Sequence, residues 1–357
     1  MSEFCSILLD HWRRYPRMAP ADFVKLVFQS EYGTGHYLPS PEAAWDRLKQ
    51  EYVACQRAGV PRRTPPLVEE IGGEYCRVNL QPLPRSGISL NTVARWFAQS
   101  SRSRPADETG MERKLDLLLH LSRTGQIHLP LAELAQFIAE YKKAGFPAQH
   151  HSAVYRELYR PAYRVVRRDF VAFARVFAAI DTLAGRESQV LVAIDGNSGA
   201  GKSRLAELLA EVYDCNVFHM DDFFLPGGLK TATRLSEPGG NVHYERFAAE
   251  VLQGLAAQRP FAYGVFDCRT QRITREVNVV PKRVNIIEGS YSMHPAFGAP
   301  YHLRVFLQVD EAKQRERILR RSGDALLRRF EQEWIPLENS YFEAFRIKEQ
   351  ADLVYQT

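Results

Sequence analysis

Apolar positions along the chain change their period about halfway. Through the first 185 residues they recur at spacings of three and four, as in Leu131, Leu134, Phe137, Ile138 and Tyr141, which is the mark of helices burying one face. The pattern predicts helices over residues 3–14, 21–32, 41–57, 91–101, 110–123, 131–144 and 152–184. Pro20-Ala21-Asp22 and Ser40-Pro41-Glu42 supply helix starts, and Gly125 and Gly145 sit where helices stop. Residues 66–71 and 75–80 read as a short β-hairpin around Gly72-Gly73. The polar stretch 181–189 (DTLAGRESQ) ends this pattern and places a domain boundary between residues 186 and 187.

Beyond it, a continuous apolar run appears at 190–194 (VLVAI), and similar short, largely apolar runs recur at 216–220, 284–287, 303–309 and 352–355. Such runs suit strands buried on both faces of a parallel sheet. Helical segments at 202–212, 244–257 and 311–321 alternate with them, so residues 187–357 are expected to form an α/β unit with right-handed crossovers. Residues 1–186 are expected to form a mostly helical domain carrying the small hairpin.

Composition adds limits. The 357 residues are 45% hydrophobic and 25% charged, as in folded domains. A net charge of +5 suits phosphate-rich ligands and is too small to call for nucleic acid as a partner. Cys5, Cys55, Cys76, Cys215 and Cys268 are scattered without a CxxC pair, so reduced thiols and a cytoplasmic location are expected rather than a disulfide or zinc framework. Neither a secretory leader nor a membrane span is expected, because no charged start leads into an apolar run and no run approaches roughly 18 apolar residues. Homo-oligomerisation stays open.

The strand at 190–194 runs into Gly196-Asn197-Ser198-Gly199-Ala200-Gly201-Lys202-Ser203 and then into a helix. This is the G-x-x-x-x-G-K-[ST] phosphate-binding loop in its strand–loop–helix setting. Its glycines let the backbone wrap an anion, and successive N–H groups and a helix N-terminus face it. Lys202 can reach the outer phosphates, and the Ser203 hydroxyl can ligate Mg²⁺.

Two more strand ends carry carboxylates. Asp221 and Asp222 follow the second strand, where a carboxylate can accept a proton from an attacking hydroxyl; an Asp pair there equally suits a turn or helix cap. Glu288 ends the strand at 284–287 and is placed to hold Mg²⁺ through water. Arg317, Arg320 and Arg321 precede a turn at Ser322-Gly323-Asp324, where basic residues can close over phosphates or simply line a solvated helix face.

The ordered set GNSGAGKS, MDDFF, GGNVHYERF, VFDCRT, NIIEGSY, an arginine-rich segment and a final ADLVY strand resembles the uridine kinase and phosphoribulokinase family over about residues 188–357. The resemblance implies a P-loop fold, ATP with Mg²⁺ as phosphoryl donor, and a small hydroxyl-bearing acceptor, uridine by family default. It implies Asp221 as the general base, Glu288 as an aid to the metal, and arginines among Arg317, Arg320 and Arg321 on the transferring phosphate. Phe224, His243, Phe266 and Asp267 fall at acceptor positions. The chain departs from the family at His243, where an aspartate grips ribose, and at Cys268 and Gln271, where an aromatic residue and a histidine meet the base. Those departures leave room for another reading, an ATP-binding regulatory module whose output is the N-terminal domain.

In the N-terminal domain, residues 29–37, with Glu31 and His36, admit a ligand site or a helix-terminal turn, the latter favoured. Gln149-His150-His151 reads as a solvated loop.

Overall fold

A computed structural model describes residues 3–34, 41–57, 65–101 and 108–357, with only the backbone of 41–43. The segment holding His36 lies outside the described residues. The chain divides into two compact units, Met1–Ala174 and Arg175–Thr357.

The first unit contains α1 (Glu3–Arg14), α2 (Pro20–Tyr32), α3 (Pro41–Arg57), β1 (Val68–Glu70), β2 (Tyr75–Asn79), α4 (Leu90–Ser100), α5 (Glu108–Arg123), α6 (Leu131–Lys143), α7 (Ala153–Tyr159), β3 (Tyr163–Arg167) and α8 (Arg168–Ala172). Leu8, Phe23, Leu26, Val27, Leu115, Leu118 and Leu134 meet in its core. The expected helices therefore form on their apolar stripes, and the hairpin turns at Gly72 and Gly73, both at positive φ.

The expected helix over 152–184 does not form as one element. It stops at Arg160 in a left-handed conformation, because Pro161 lacks the N–H and clashes with the preceding turn. Tyr163–Arg167 then becomes a third strand against β2, with Cys76 opposite Val166. Two adjacent β-branched valines favour that outcome. Helix resumes as α8 and then α9 (Ala174–Ala184), whose Asp181 carboxylate and Phe177 carbonyl accept from the Tyr213 hydroxyl at 3.0 and 3.2 Å. So α9 packs within the second unit, and the compact units divide before the expected boundary.

The second unit continues with β4 (Val190–Gly196), α10 (Lys202–Val212), β5 (Cys215–His219), α11 (Ala232–Ser236), α12 (Tyr244–Phe247), α13 (Gln253–Ala257), β6 (Phe261–Asp267), β7 (Arg272–Val279), β8 (Val284–Glu288), β9 (Leu303–Gln308), α14 (Glu311–Arg329), α15 (Ile335–Phe345) and β10 (Leu353–Gln356). Five strands form one parallel sheet in the order β10-β9-β4-β8-β5, while β6 and β7 make a separate antiparallel hairpin. This is the α/β P-loop fold. β4 is buried along its whole length, as its unbroken apolar run requires.

Register decides what lies at the sheet's C-terminal edge. Ile194 of β4 pairs with Glu288 of β8, and Glu288 pairs with His219 of β5. Three strands thus end on one level, and the chain leaving each enters the same crevice. Gly323, at φ 77° and ψ 170°, kinks α14 at the expected turn, and a π-helical turn over Phe330–Trp334 joins α14 to α15. Among the described residues, no helix is long and apolar enough to cross a membrane.

Candidate active site

The loop from Gly196 to Ser203 wraps because its glycines take conformations that side chains resist. Gly196 has φ 137°, and a Cβ there would lie 1.9 Å from the Leu307 carbonyl oxygen. Gly201, at φ 93°, opens α10. The first N–H groups of any helix lack intrahelical acceptors, so those of α10 add to the anion-binding face of the loop.

The side chains predicted for this cradle converge on it. Lys202 is nearly buried and donates from Nζ to the carbonyls of Gly196 (2.7 Å) and Asn197 (3.0 Å) and to Ser290 Oγ (3.2 Å). Ser203 Oγ lies 3.2 and 3.3 Å from the two carboxylate oxygens of Glu288. Glu288 is buried and also accepts from His219 Nδ1 at 2.5 Å. That hydrogen bond raises the His219 pKa, outweighing the opposing effect of burial. A hydroxyl beside a buried carboxylate is a hard oxygen pair of the kind Mg²⁺ takes, so Ser203 and Glu288, with Asp221 nearby, fit that ion.

Asp221 follows β5 in a 3-10 turn over Met220–Phe223 and is exposed enough to meet a substrate. Partial desolvation raises its carboxyl above the ordinary carboxylate range; repulsion from Glu288 adds to the rise, and Lys202 opposes it. Asp222 turns elsewhere: its carboxylate faces the Tyr263 hydroxyl at 3.5 Å, and its carbonyl accepts from Arg246.

Of the three arginines, Arg317 reaches the loop, donating to the Gly199 carbonyl at 3.1 Å and to Thr357 Oγ1 at 3.2 Å. Arg320 and Arg321 are exposed on α14, and Arg321 extends toward Ser322. Phe224 forms an isolated bridge with Val242, which sets His243 beside it. His243 caps α12 through the Arg246 N–H and pairs with Glu245 at 3.2 Å. Phe266 is buried, and the Asp267 carboxylate accepts the Arg269 N–H at 2.7 Å within the β6–β7 turn. Gln271 holds Gly227 N–H at 3.1 Å, and Cys268 is exposed.

Three participants lie outside the predicted set. Asp195, fully buried, accepts from the N–H of Gly196 (2.7 Å) and Met293 (3.0 Å) and from the Tyr341 hydroxyl (2.9 Å); burial lifts its carboxyl to about 6. Glu338 of α15 reaches the cradle itself, and His219 reaches Glu288. An acidic residue ending the apolar run of β4 was the available signal for Asp195; nothing local marked Glu338.

The first unit holds a separate polar cluster in its interior. Arg77, wholly buried, donates from Nε and Nη2 to Gln29 Oε1 at 2.9 and 2.7 Å, and its Nη1 lies 3.9 Å from Glu69. Glu69 also accepts from Arg14 and Tyr15. His151 does not lie in a solvated loop: it is buried between the Asp22 carboxylate (2.9 Å) and the Tyr163 hydroxyl (2.6 Å) and stacks on Tyr155. Glu31, from the other motif singled out in this unit, pairs with Lys114 at 2.6 Å.

Fold and loop together define the second unit as a P-loop α/β unit. No family model matches the chain, and neither does any curated protein. Among solved structures it is similar to a possible uridine kinase from Bacillus stearothermophilus, at 19% identity and a TM-score of 0.38, over 51% of this chain and 99% of that one. It is also similar to TT1252 from Thermus thermophilus, at 16% identity and a TM-score of 0.29, over 48% of this chain and 90% of that one. A third is an uncharacterized protein from Eubacterium ventriosum, at 14% identity and a TM-score of 0.27, over 47% and 88%. Likeness at this level is silent on substrate and activity.

Proposed function

We propose that the protein is an ATP-dependent kinase that transfers the γ-phosphate to a hydroxyl of a nucleoside or related small metabolite. The observation that carries this reading is the meeting of Lys202, Ser203 and Glu288 at one phosphate-binding loop, with Asp221 leaving the neighbouring strand end. A phosphate cradle alone serves any nucleotide-binding protein. A carboxylate of raised proton affinity beside it is what a hydroxyl acceptor needs.

In the proposed reaction the acceptor oxygen forms a bond to the γ-phosphorus while its proton passes to the Asp221 carboxylate. The bond from that phosphorus to the β–γ bridging oxygen breaks, and ADP leaves. Lys202 turns from the Gly196 and Asn197 carbonyls to the outer phosphates and balances their charge. Arg317, already against the loop, is the arginine best placed to join it. Mg²⁺, held by Ser203 and Glu288, would neutralise phosphate charge. Phe224 and His243 border the acceptor side, with the turn at Asp267 and the buried Phe266 supporting the hairpin next to it.

The test is phosphate transfer from γ-labelled ATP across nucleosides, sugars and small alcohols. Asp221→Asn is expected to keep ATP binding while turnover falls by about 10²–10⁴-fold. Bound ATP with no transfer to any acceptor would sink the reading.

A further inference from the structure

The cradle already contains an anion, and it belongs to the chain. Glu338, 5% exposed, projects from α15 into the loop. One carboxylate oxygen accepts the Ser198 N–H at 3.0 Å; the other lies 2.5 Å from Ser198 Oγ and 2.8 Å from Ser290 Oγ. Ser290 in turn accepts from Lys202 Nζ at 3.2 Å. A carboxylate and a terminal phosphate ask for the same thing, a ring of N–H and O–H donors beside a cation. The Ser198 N–H and the side-chain donors that a triphosphate would need are therefore engaged: Ser198 by Glu338, Lys202 by loop carbonyls, and Ser203 by Glu288.

Two negative groups cannot share that position, since both would be partly desolvated with like charges in contact. The helix that carries Glu338 is built to let it go. One turn further on the same face, Tyr341 is tied to Asp195 at 2.9 Å. On the other side, the π-helical turn over Phe330–Trp334 interrupts the helix. The carboxylate can leave while the end of α15 beyond it stays anchored.

We propose that Glu338 is a built-in occupant of the terminal-phosphate position, holding the Ser198 and Ser290 donors and yielding when a triphosphate seats. This rests on the phosphate-binding reading of the loop given above. Its consequence is that triphosphate affinity is set below what the loop alone would give, by the free energy of displacing Glu338.

The experiment titrates ATP, inorganic tripolyphosphate and AMP into the full chain as wild type, Glu338→Gln and Glu338→Ala, with thermal melting to show that each is folded. Glu338→Gln keeps the shape and an acceptor for Ser198 but removes the charge. In both variants the Kd for ATP and tripolyphosphate is expected to fall about tenfold while that for AMP changes little. Tripolyphosphate and AMP separate the phosphate cradle from the rest of the nucleotide site and from general loosening of the fold. Unchanged or weaker triphosphate binding in the variants, or an equal change for AMP, would overturn the occupant role and leave the kinase reading standing. Tighter triphosphate binding without transfer to any acceptor would support the occupant role and overturn the kinase reading. Binding by neither wild type nor variants would overturn both.

Discussion

The Tyr341 hydroxyl donates to the Asp195 carboxylate at 2.9 Å across 146 residues of sequence, and both side chains are fully buried. It joins the helix carrying Glu338 to the strand that opens the phosphate loop. Removing one partner of a buried hydrogen bond to a carboxylate leaves that acceptor poorly satisfied. Tyr341→Phe is expected to destabilise the protein by about 1–3 kcal/mol in chemical denaturation at pH 7. It should also push the Asp195 carboxyl further above about 6, since the phenol now lowers it. A loss below about 0.5 kcal/mol would show that the bond is dispensable.

The buried histidines of the first unit predict acid sensitivity. Burial lowers His11 and His151 to about 4 from 6.5. Between those values the unfolded chain binds a proton at each histidine and the native chain does not, so stability rises with pH across the window and is lost as pH falls from about 6.5 to 4. Linkage sets an upper bound of about 3 kcal/mol for each. The Asp22 and Glu69 carboxyls are held below their ordinary values despite burial, Asp22 chiefly by its bonds to His151 and Ser152 and Glu69 chiefly by the Arg77 charge. Their contribution is lost at still lower pH, as each titrates through its folded value. Amide hydrogen exchange at pH 7, 6 and 5, corrected for the intrinsic rate, should show protection in α1, α2 and β2 falling with acid. Constant protection would contradict the neutral buried histidines.

Gly196 predicts a backbone effect. An added Cβ would meet the Leu307 carbonyl at 1.9 Å in a conformation that side chains rarely adopt. Gly196→Ala should cost more than about 2 kcal/mol and abolish nucleotide binding. Wild-type ATP affinity in a stably folded variant would show that the loop tolerates a different path.

Much of this was legible in the chain because it is local. Helix α6 follows from apolar spacing, the phosphate loop from eight consecutive residues, β4 from a continuous apolar run, and the other sheet strands from short, mostly apolar stretches. Glu288 was found beside Ser203 because a strand ending in a carboxylate has few places to put it. The strand Tyr163–Arg167 was not legible, since its partner β2 lies far back in the sequence and the apolar spacing of the segment also suits a helix. Pro161 is the local sign against one continuous helix.

What the sequence determined by itself was the set of local geometries: which stretches coil, which extend, and where glycines bend the backbone around an anion. The tertiary structure alone decided which charges meet. Glu338 reaches Ser198 across 140 residues, His219 reaches Glu288 across 69, and His151 reaches Asp22 across 129. No periodicity encodes such pairings, because they arise from sheet register and helix docking. Those place distant side chains in shared low-dielectric space, where each must find a partner.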